Sequence, residues 1–277
     1  MNFNKFPKYA ASLLVIAASS SLISACGNSE ASALPPSAVG ATSTALPHVS
    51  NTTAILVHGA WADGSAWSRV TPILQAQGMN VVSVQLHLTS LAEDVATVRR
   101  VLATQSGKVV LVGHSYGGAV ITQAGSDPKA AALVYVAAFA PDEGQSVNDM
   151  ISPYPPAPWQ AGLVPDSAGY TTLTPAAYQT YFASDLSKDQ SVVLATSQGP
   201  TNQQVLIDKV TTASWKTKPA YWALSGSDQI IPASFQQQEA AHINAKVTVI
   251  DGAGHTEMLS HPQEVAGVIL KAAVAVQ

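Results

Sequence analysis

The sequence has little cysteine and little charge. Its only cysteine is Cys26, so the chain can form neither an internal disulfide nor a metal site built from cysteines. Charged residues make up 11% of the 277 residues, the net charge is −4, and no basic cluster occurs, which argues against a nucleic-acid partner. Apolar residues make up 47% of the chain, which is enough for a substantial core and argues against disorder.

The N-terminal segment has the pattern of a targeting signal. Lys5 and Lys8 precede an apolar stretch at 10–18, which is too short to span a bilayer. The stretch leads into Ile-Ser-Ala-Cys at 23–26, which resembles the end of a bacterial lipoprotein signal. This resemblance implies cleavage before Cys26 and attachment of a lipid to that cysteine.

These features predict three parts of the chain. Residues 1–25 are the signal sequence, 26–51 form a flexible linker rich in Ser, Ala, Pro and Thr, and 52–277 form the globular domain. The expected product is an exported protein of the bacterial cell envelope that touches the membrane only through its lipid. Ordinary secretory cleavage, which would give a secreted or periplasmic protein, is the alternative.

Beyond residue 51, short apolar runs alternate with helical patterns. The runs are solidly apolar rather than alternating, as expected for parallel strands buried on both faces. They lie at 53–57, 81–84, 109–112, 131–138, 220–224 and 246–250. This rhythm predicts an α/β fold, with a mostly parallel sheet of about six strands and helices on both of its faces.

The alternation of predicted strands and helices stops between residues 141 and 218. A stretch of about 75 residues between two sheet strands is too long for an ordinary connection. It contains a cluster of prolines at 153–158, many of the aromatic residues, and helical patterns at 176–186 and 203–211. We predict a helical insertion that caps the functional site.

Ser115 lies at a sharp turn between a predicted strand and a predicted helix. The sequence from Lys108 to Gly118 is KVVLVGHSYGG, which places the serine in a G-x-S-x-G frame. Glycines flank such a turn because a Cβ would collide with the neighbouring strand or helix. The turn lifts the serine hydroxyl clear of the sheet, so Ser115 is the candidate nucleophile.

A serine nucleophile needs a base, and the base needs an acid that orients it. In folds with this turn the acid and the histidine follow the serine in the sequence, on loops after late strands. Asp228 follows the penultimate predicted strand and His255 follows the last one. Asp142 and Asp251 are alternatives for the acid, and His261 for the base.

The loop after the first strand is the expected source of a second oxyanion donor. The backbone N–H of Ala60 is predicted to act with that of Tyr116 in holding a negative oxygen. Gly59 allows the backbone to approach, and Trp61 is a candidate for lining the substrate pocket. We expect His114, beside the nucleophile, to have a packing role.

Four segments together resemble the α/β-hydrolase superfamily. They are LVHGAWADGSAW at 56–67, LVGHSYGG at 111–118, SGSDQIIP at 225–232 and GAGHTEMLSHPQEV at 252–265. The chain is most similar to the branch that holds plant methylesterases, hydroxynitrile lyases and related bacterial esterases. The resemblance implies a Ser115–His255–Asp228 triad, a helical cap, no metal, no cofactor and a small-molecule ester as substrate.

Two positions differ from the lyase members of that branch. Those members carry a lysine directly after the catalytic histidine and a threonine after the histidine of the first motif, whereas this chain has Thr256 and Gly59. Without the lysine, a leaving cyanide lacks its positive partner. We therefore predict a serine carboxylester hydrolase acting on a small or medium ester. A hydroxynitrile lyase-like enzyme and a non-catalytic binding module on the same fold are the alternatives.

Overall fold

A computed structural model of the chain describes residues 46–277. The predicted signal sequence at 1–25, the lipid attachment at Cys26 and most of the linker at 26–51 lie outside these residues and stay predictions. Within the described part, no helix is both long enough and apolar enough to cross a bilayer. Val49 is already buried and donates its N–H to the Gln77 carbonyl, so packing against the body begins before the first strand.

The described residues form nine strands, six of which make one parallel sheet in the order β2-β1-β3-β4-β8-β9. Leu111 on the central strand lies between Ile55 and Leu133 of its two neighbours. The prediction of about six mostly parallel strands is confirmed. The strands are β1 (Thr52–Val57), β2 (Asn80–Val84), β3 (Lys108–His114), β4 (Ala130–Val136), β5 (Leu163–Pro165), β6 (Tyr170–Leu173), β7 (Thr201–Asn202), β8 (Ala220–Ser225) and β9 (Lys246–Ile250).

Helices cover both faces of the sheet. Val110 and Val112 of β3 pack in one apolar cluster with α1 and α10, and Val109 and Leu111 pack in another with α2, α3 and α8. This arrangement explains the solidly apolar strands, because both faces are buried. The helices are α1 (Val70–Ala76), α2 (Leu91–Ala103), α3 (Gly117–Ala124), α4 (Val147–Ile151), α5 (Pro175–Ala177), α6 (Lys188–Ser197), α7 (Gln204–Ile207), α8 (Ala233–His242), α9 (Glu257–Ser260) and α10 (Pro262–Ala275).

The segment between β4 and β8 is the long insertion. It contains α4 to α7, a π-helical turn at Tyr178–Phe182, and a small antiparallel sheet of β5, β6 and β7. The sequence predicted helices here and missed this sheet. Its strands are two to four residues long, and the pairing of Tyr170 with Asn202 joins distant parts of the chain. Short strands that pair over such a distance leave no local pattern in the sequence.

Candidate active site

Ser115 occupies a strained turn at the carboxyl edge of the sheet. β3 ends at His114 and α3 begins at Gly117, and between them Ser115 has a φ of +54°, in the left-handed region that non-glycine residues rarely adopt. A Cβ on Gly113 would lie 2.4 Å from the Gly117 carbonyl oxygen, so only glycine fits there. The local backbone therefore has the strand–turn–helix geometry that the sequence predicted around Ser115.

Asp228 and His255 meet on the loops that follow β8 and β9. His255 Nδ1 lies 2.9 Å from Asp228 Oδ2, and both side chains are completely buried. Because the carboxylate accepts, the imidazole carries its proton on Nδ1 and leaves Nε2 as a proton acceptor. The pair therefore has the tautomer that a general base requires.

Asp228 is held by further donors besides the imidazole. Its Oδ1 accepts the backbone N–H groups of Ile230 at 2.7 Å and Ile231 at 3.0 Å. Its Oδ2 also accepts the side-chain amide of Gln236 at 3.1 Å. Gln236 is fully buried on α8 and also donates to the Ile231 carbonyl at 2.8 Å. These bonds offset the cost of burying the carboxylate and fix its orientation.

Sequence reasoning missed Gln236. It is the first of three consecutive glutamines, and nothing in the sequence distinguishes it from the next one. In the fold Gln236 is buried and Gln237 is exposed. Only the folded contact with Asp228 identifies its part in the site.

The His255 loop and the Ser115 turn are adjacent. His114 Nε2 lies 2.8 Å from the His255 carbonyl oxygen, and the two rings are 4.6 Å apart between centroids. Within the described residues, His255 Nε2 is buried and has no hydrogen-bond partner, so no bond joins it to Ser115 Oγ in this state. Catalytic hydrogen bonds are often open in free enzymes and close when substrate binds.

His114 packs against His255 and links it to β3. A carbonyl can only accept, so His114 Nε2 carries the proton, and its Nδ1 has no partner within the described residues. Complete burial, and next the neighbouring His255, hold the pKa of His114 well below its ordinary value. His114 is therefore a neutral linker between the two loops.

The loop after β1 lies directly against Ser115. A Cβ on Gly59 would lie 2.6 Å from Ser115 Cβ, which shows how closely the backbone approaches. His58 Nε2 accepts the Leu86 N–H at 3.0 Å, so its Nδ1–H donates to the Gly59 carbonyl at 2.9 Å. Burial lowers the pKa of His58, which favours this neutral form.

The two predicted oxyanion donors are free of other bonds. Within residues 46–277, neither the Ala60 N–H nor the Tyr116 N–H takes part in a hydrogen bond. The Tyr116 side chain is buried, and its hydroxyl donates to Asp94 Oδ2 at 3.0 Å. Burial and the adjacent Asp94 raise the pKa of Tyr116 well above its ordinary value, so the hydroxyl stays protonated. This bond fixes the residue that directly precedes α3.

Trp61 is held by the insertion rather than by the body. Its backbone N–H donates to Thr201 Oγ1 at 2.9 Å, and its indole N–H donates to the Thr171 carbonyl at 3.1 Å. The Tyr178 hydroxyl donates to the Trp61 carbonyl at 3.2 Å. Trp61 has a φ of +53°, so these contacts hold the residue after Ala60 in a strained conformation.

The alternative acids and the alternative base lie elsewhere. Asp142 is bonded to Lys216 at 2.9 Å and to His242 at 2.7 Å, on a half-exposed part of the surface. Asp251 is exposed, and His261 Nδ1 bonds to Ser260 Oγ at 2.8 Å. The geometry therefore favours Asp228 and His255.

A small cavity of about 20 Å³, enough for about one water molecule, lies next to the site, between the insertion and the body. Its apolar wall includes Phe182, Leu194 and Met258, and Trp61 and His114 border it. The ring of Phe182 meets that of His255 edge to face at 4.9 Å. The insertion thus places aromatic and aliphatic side chains directly over the histidine.

Comparison with known proteins agrees with this fold. Residues 54–268 match the α/β hydrolase family, and the chain belongs to this family. Salicylic acid-binding protein 2 of Nicotiana tabacum is 25% identical over 256 residues, which cover 79% of this chain and 96% of that protein. Methylesterase 7 of Arabidopsis thaliana is 26% identical over 248 residues, which cover 79% of this chain and 95% of that protein.

A solved structure gives the same picture of the fold. The pyrethroid hydrolase of Sphingobium faniae superposes with a TM-score of 0.69 at 22% identity, covering 81% of this chain and 98% of that one. At this identity the likeness shows the fold alone. The reaction class that the relatives support is carboxylic ester hydrolysis.

Proposed function

We propose that the chain, as a carboxylic ester hydrolase of the α/β hydrolase family, works through Ser115, His255 and Asp228. The observation that carries the proposal is the fully buried Asp228–His255 pair, 2.9 Å apart, at the edge where Ser115 stands in a strained turn. A buried histidine whose second ring nitrogen is free of other hydrogen bonds within the described residues is suited to remove a serine proton.

Catalysis then follows two steps. Ser115 Oγ attacks the ester carbonyl carbon while His255 Nε2 takes the hydroxyl proton, and that proton passes to the departing alkoxide as its C–O bond breaks. Water attacks the resulting acyl-enzyme with His255 again as base. The bond to Ser115 Oγ breaks, the serine regains a proton from His255, and the carboxylic acid leaves.

The negative oxygen of each tetrahedral intermediate is assigned to the Ala60 and Tyr116 N–H groups. Their freedom from other hydrogen bonds supports this role, as does the contact between Gly59 and Ser115. The Trp61 N–H is a poor candidate because Thr201 already accepts it. A preorganised donor of this kind contributes about 2.7–4 kcal/mol to transition-state stabilisation.

The substrate in this proposal is a small or medium ester. Ser115 is only 6% exposed, and the adjacent cavity is mostly apolar but measures only about 20 Å³, so the insertion must move outward to admit an ester. The name of one relative, a methylesterase, also points to an ester. Thr256, at the lysine position of the lyases, donates its hydroxyl to Asp185 and supplies no positive charge for cyanide.

Ser115→Ala tests the proposal. We expect turnover of p-nitrophenyl esters to fall by about 10⁴-fold or more with an unchanged circular dichroism spectrum, because the nucleophile is lost. A fluorophosphonate should label the Ser115 peptide of the wild type, as read by mass spectrometry, and should not label the variant. A series of acyl chain lengths then measures which ester size the site prefers.

Ser126→Ala is the matched control, since Ser126 is exposed at the end of α3 and its hydroxyl only bonds the Gln123 carbonyl and Arg99. It should keep wild-type turnover. Hydrolysis that survives in Ser115→Ala would show that another group is the nucleophile. A wild type that is never labelled would favour the binding module, and cyanide release from a cyanohydrin would favour the lyase.

A further inference from the structure

Asp185 of the insertion bonds to the loop that carries His255. It lies between the π-helical turn at Tyr178–Phe182 and α6, and it is half-buried. Its Oδ2 accepts the Gly254 N–H at 2.9 Å, and its Oδ1 accepts the Thr256 hydroxyl at 2.8 Å. The Ser260 hydroxyl is a third donor. Two of the three donors thus belong to the residues on either side of His255.

The loop is shaped to receive this carboxylate. A Cβ on Gly254 would lie 2.8 Å from both Cγ and Oδ1 of Asp185 and 3.0 Å from Ser184 Oγ. Any larger residue at position 254 would push the insertion and the loop apart. Glycine at this position therefore permits direct contact between the acid and the backbone beside the histidine.

The charge of Asp185 is directed at this loop. Among the ion pairs of residues 46–277, none includes Asp185, so its hydrogen bonds come from the loop and from α9. Bonds to a charged acceptor are stronger than neutral ones, and here three converge on one side chain. Neither the Asp228 pair nor the apolar packing requires this arrangement.

We propose that Asp185 is a positioning residue that holds the backbone of His255 so that Nε2 meets Ser115 Oγ. Asp228 fixes the imidazole at Nδ1, but the position of Nε2 also depends on where the loop holds the Cα of His255. Asp185 fixes the loop on both sides of that atom. The inference rests on the proposed function, and it makes the insertion part of the catalytic geometry.

Asp185→Asn tests this role without changing the size of the side chain. The amide is neutral and its nitrogen cannot accept, so all three bonds lose their charge assistance, and the Thr256 hydroxyl has to turn and accept if its bond is to survive. We expect kcat on a p-nitrophenyl ester to fall by about 10- to 100-fold with KM within about threefold, because a displacement near 1 Å costs about 100-fold. Fluorophosphonate labelling of Ser115 should slow by a similar factor, since it also needs the base.

Two further variants make the test specific. Asp189→Asn removes an exposed acid from the first turn of α6, next along the insertion, and should leave kcat and labelling unchanged. Thr256→Val removes one of the three donors and should give a smaller loss in kcat. The double variant Asp185→Asn/Thr256→Val should lose less kcat than the product of the two single losses, because both changes act on the same Thr256–Asp185 bond.

The outcomes separate the two proposals. A wild type that neither hydrolyses esters nor reacts with the fluorophosphonate overturns the proposed function, and this inference with it. A wild type that does both, beside a folded Asp185→Asn that keeps its kcat or changes only KM, overturns the inference alone. If Asp185→Asn does not fold, Thr256→Val decides: a drop in kcat at constant KM supports the role, and an unchanged kcat refutes it.

Discussion

The body and the insertion hold the candidate active site by different means. In the body, the strand–turn–helix backbone and the ends of β8 and β9 place Ser115, Asp228 and His255. In the insertion, single side chains reach across to the body, with Asp185 on the His255 loop and Thr201 on Trp61. The body therefore sets which groups come together, whereas the insertion refines where their loops lie.

The two regions also differ in how they are packed. The central strands β1 and β3 of the body are almost entirely buried, whereas its edge strands β2 and β9 are partly exposed. In the insertion, α6 leaves Val192 and Val193 exposed, the latter at 64%. Burial of apolar side chains thus stabilises the body, whereas the insertion depends more on individual hydrogen bonds. The following predictions test this contrast, beginning with the largest effect.

Gly118→Ala should damage the body severely. An added Cβ would lie 2.3 Å from the Phe139 carbonyl oxygen and 2.8 Å from Ala138 Cβ, so α3 would have to move away from the end of β4. Overpacking of this kind costs about 1–3 kcal/mol or more. At about 2–4 °C per kcal/mol for a domain of this size, we expect Tm in calorimetry to fall by about 5–10 °C, with loss of activity.

Gly267→Ala is the matched control. Gly267 is also helical, on α10, but no atom lies within 4 Å of its added Cβ. Alanine is the better helix former, so this variant should gain about 0.5–1 kcal/mol of stability. Equal Tm values for the two variants would show that α3 is less tightly packed than the distances imply.

Thr201→Val should have a moderate effect through the insertion. Thr201 is fully buried, and valine has nearly the same shape but cannot accept the Trp61 N–H. A buried donor left without a partner costs about 1–3 kcal/mol. We expect Tm to fall by a few degrees, at about 2–4 °C per kcal/mol. We expect kcat to fall by about tenfold because Trp61 follows Ala60, the proposed oxyanion donor.

Thr196→Val controls for the loss of a threonine hydroxyl in the insertion. Thr196 is exposed on α6, and its hydroxyl donates only to the Val192 carbonyl within the helix. Both Tm and kcat should stay near their wild-type values. If Thr201→Val lowers Tm but leaves kcat unchanged, the bond to Trp61 stabilises the insertion without shaping the oxyanion site.

The difference in burial between the body and the insertion also explains which elements could be predicted from the sequence. All six strands of the main sheet were predicted, and β9 was predicted at its observed bounds. The central strands were predictable because buried strands are apolar runs between breakers, whereas the edge strand β9 is mostly exposed. The meeting of Asp228 with His255 was predictable too, since both follow neighbouring parallel strands whose carboxyl ends share one edge.

The insertion was harder to predict because its structure depends on distant contacts. α6 was missed, and its exposed valines explain why, since they give it no clear apolar face. The helix expected at 203–211 is limited to α7 at Gln204–Ile207. Asp185 and Gln236 are polar residues without a motif, so their parts in the site become visible only when the loops they hold are in place.

A pH-dependent effect is predicted for Glu257 on α9, two residues after His255. Unlike Asp185, which has three donors, Glu257 is completely buried and, within the described residues, neither carboxyl oxygen has a hydrogen-bond partner. Burial raises its pKa well above the ordinary value of 4.5. Above pH 4.5 the unfolded chain therefore loses a proton that the folded chain keeps, so this group lowers stability as the pH rises toward the raised pKa.

Glu257→Gln removes that pH-dependent cost while keeping the size of the side chain. The free energy of unfolding of this variant minus that of the wild type should increase from pH 5 to pH 8, by at most about 1.4 kcal/mol per pH unit. Urea unfolding at each pH measures this difference. Glu264→Gln, an exposed change at the start of α10, controls for the loss of one acid and should follow the wild type. A constant difference between Glu257→Gln and the wild type across this range would mean that Glu257 is ionised in the folded chain. The body would then have to supply it with donors, as the His255 loop supplies Asp185.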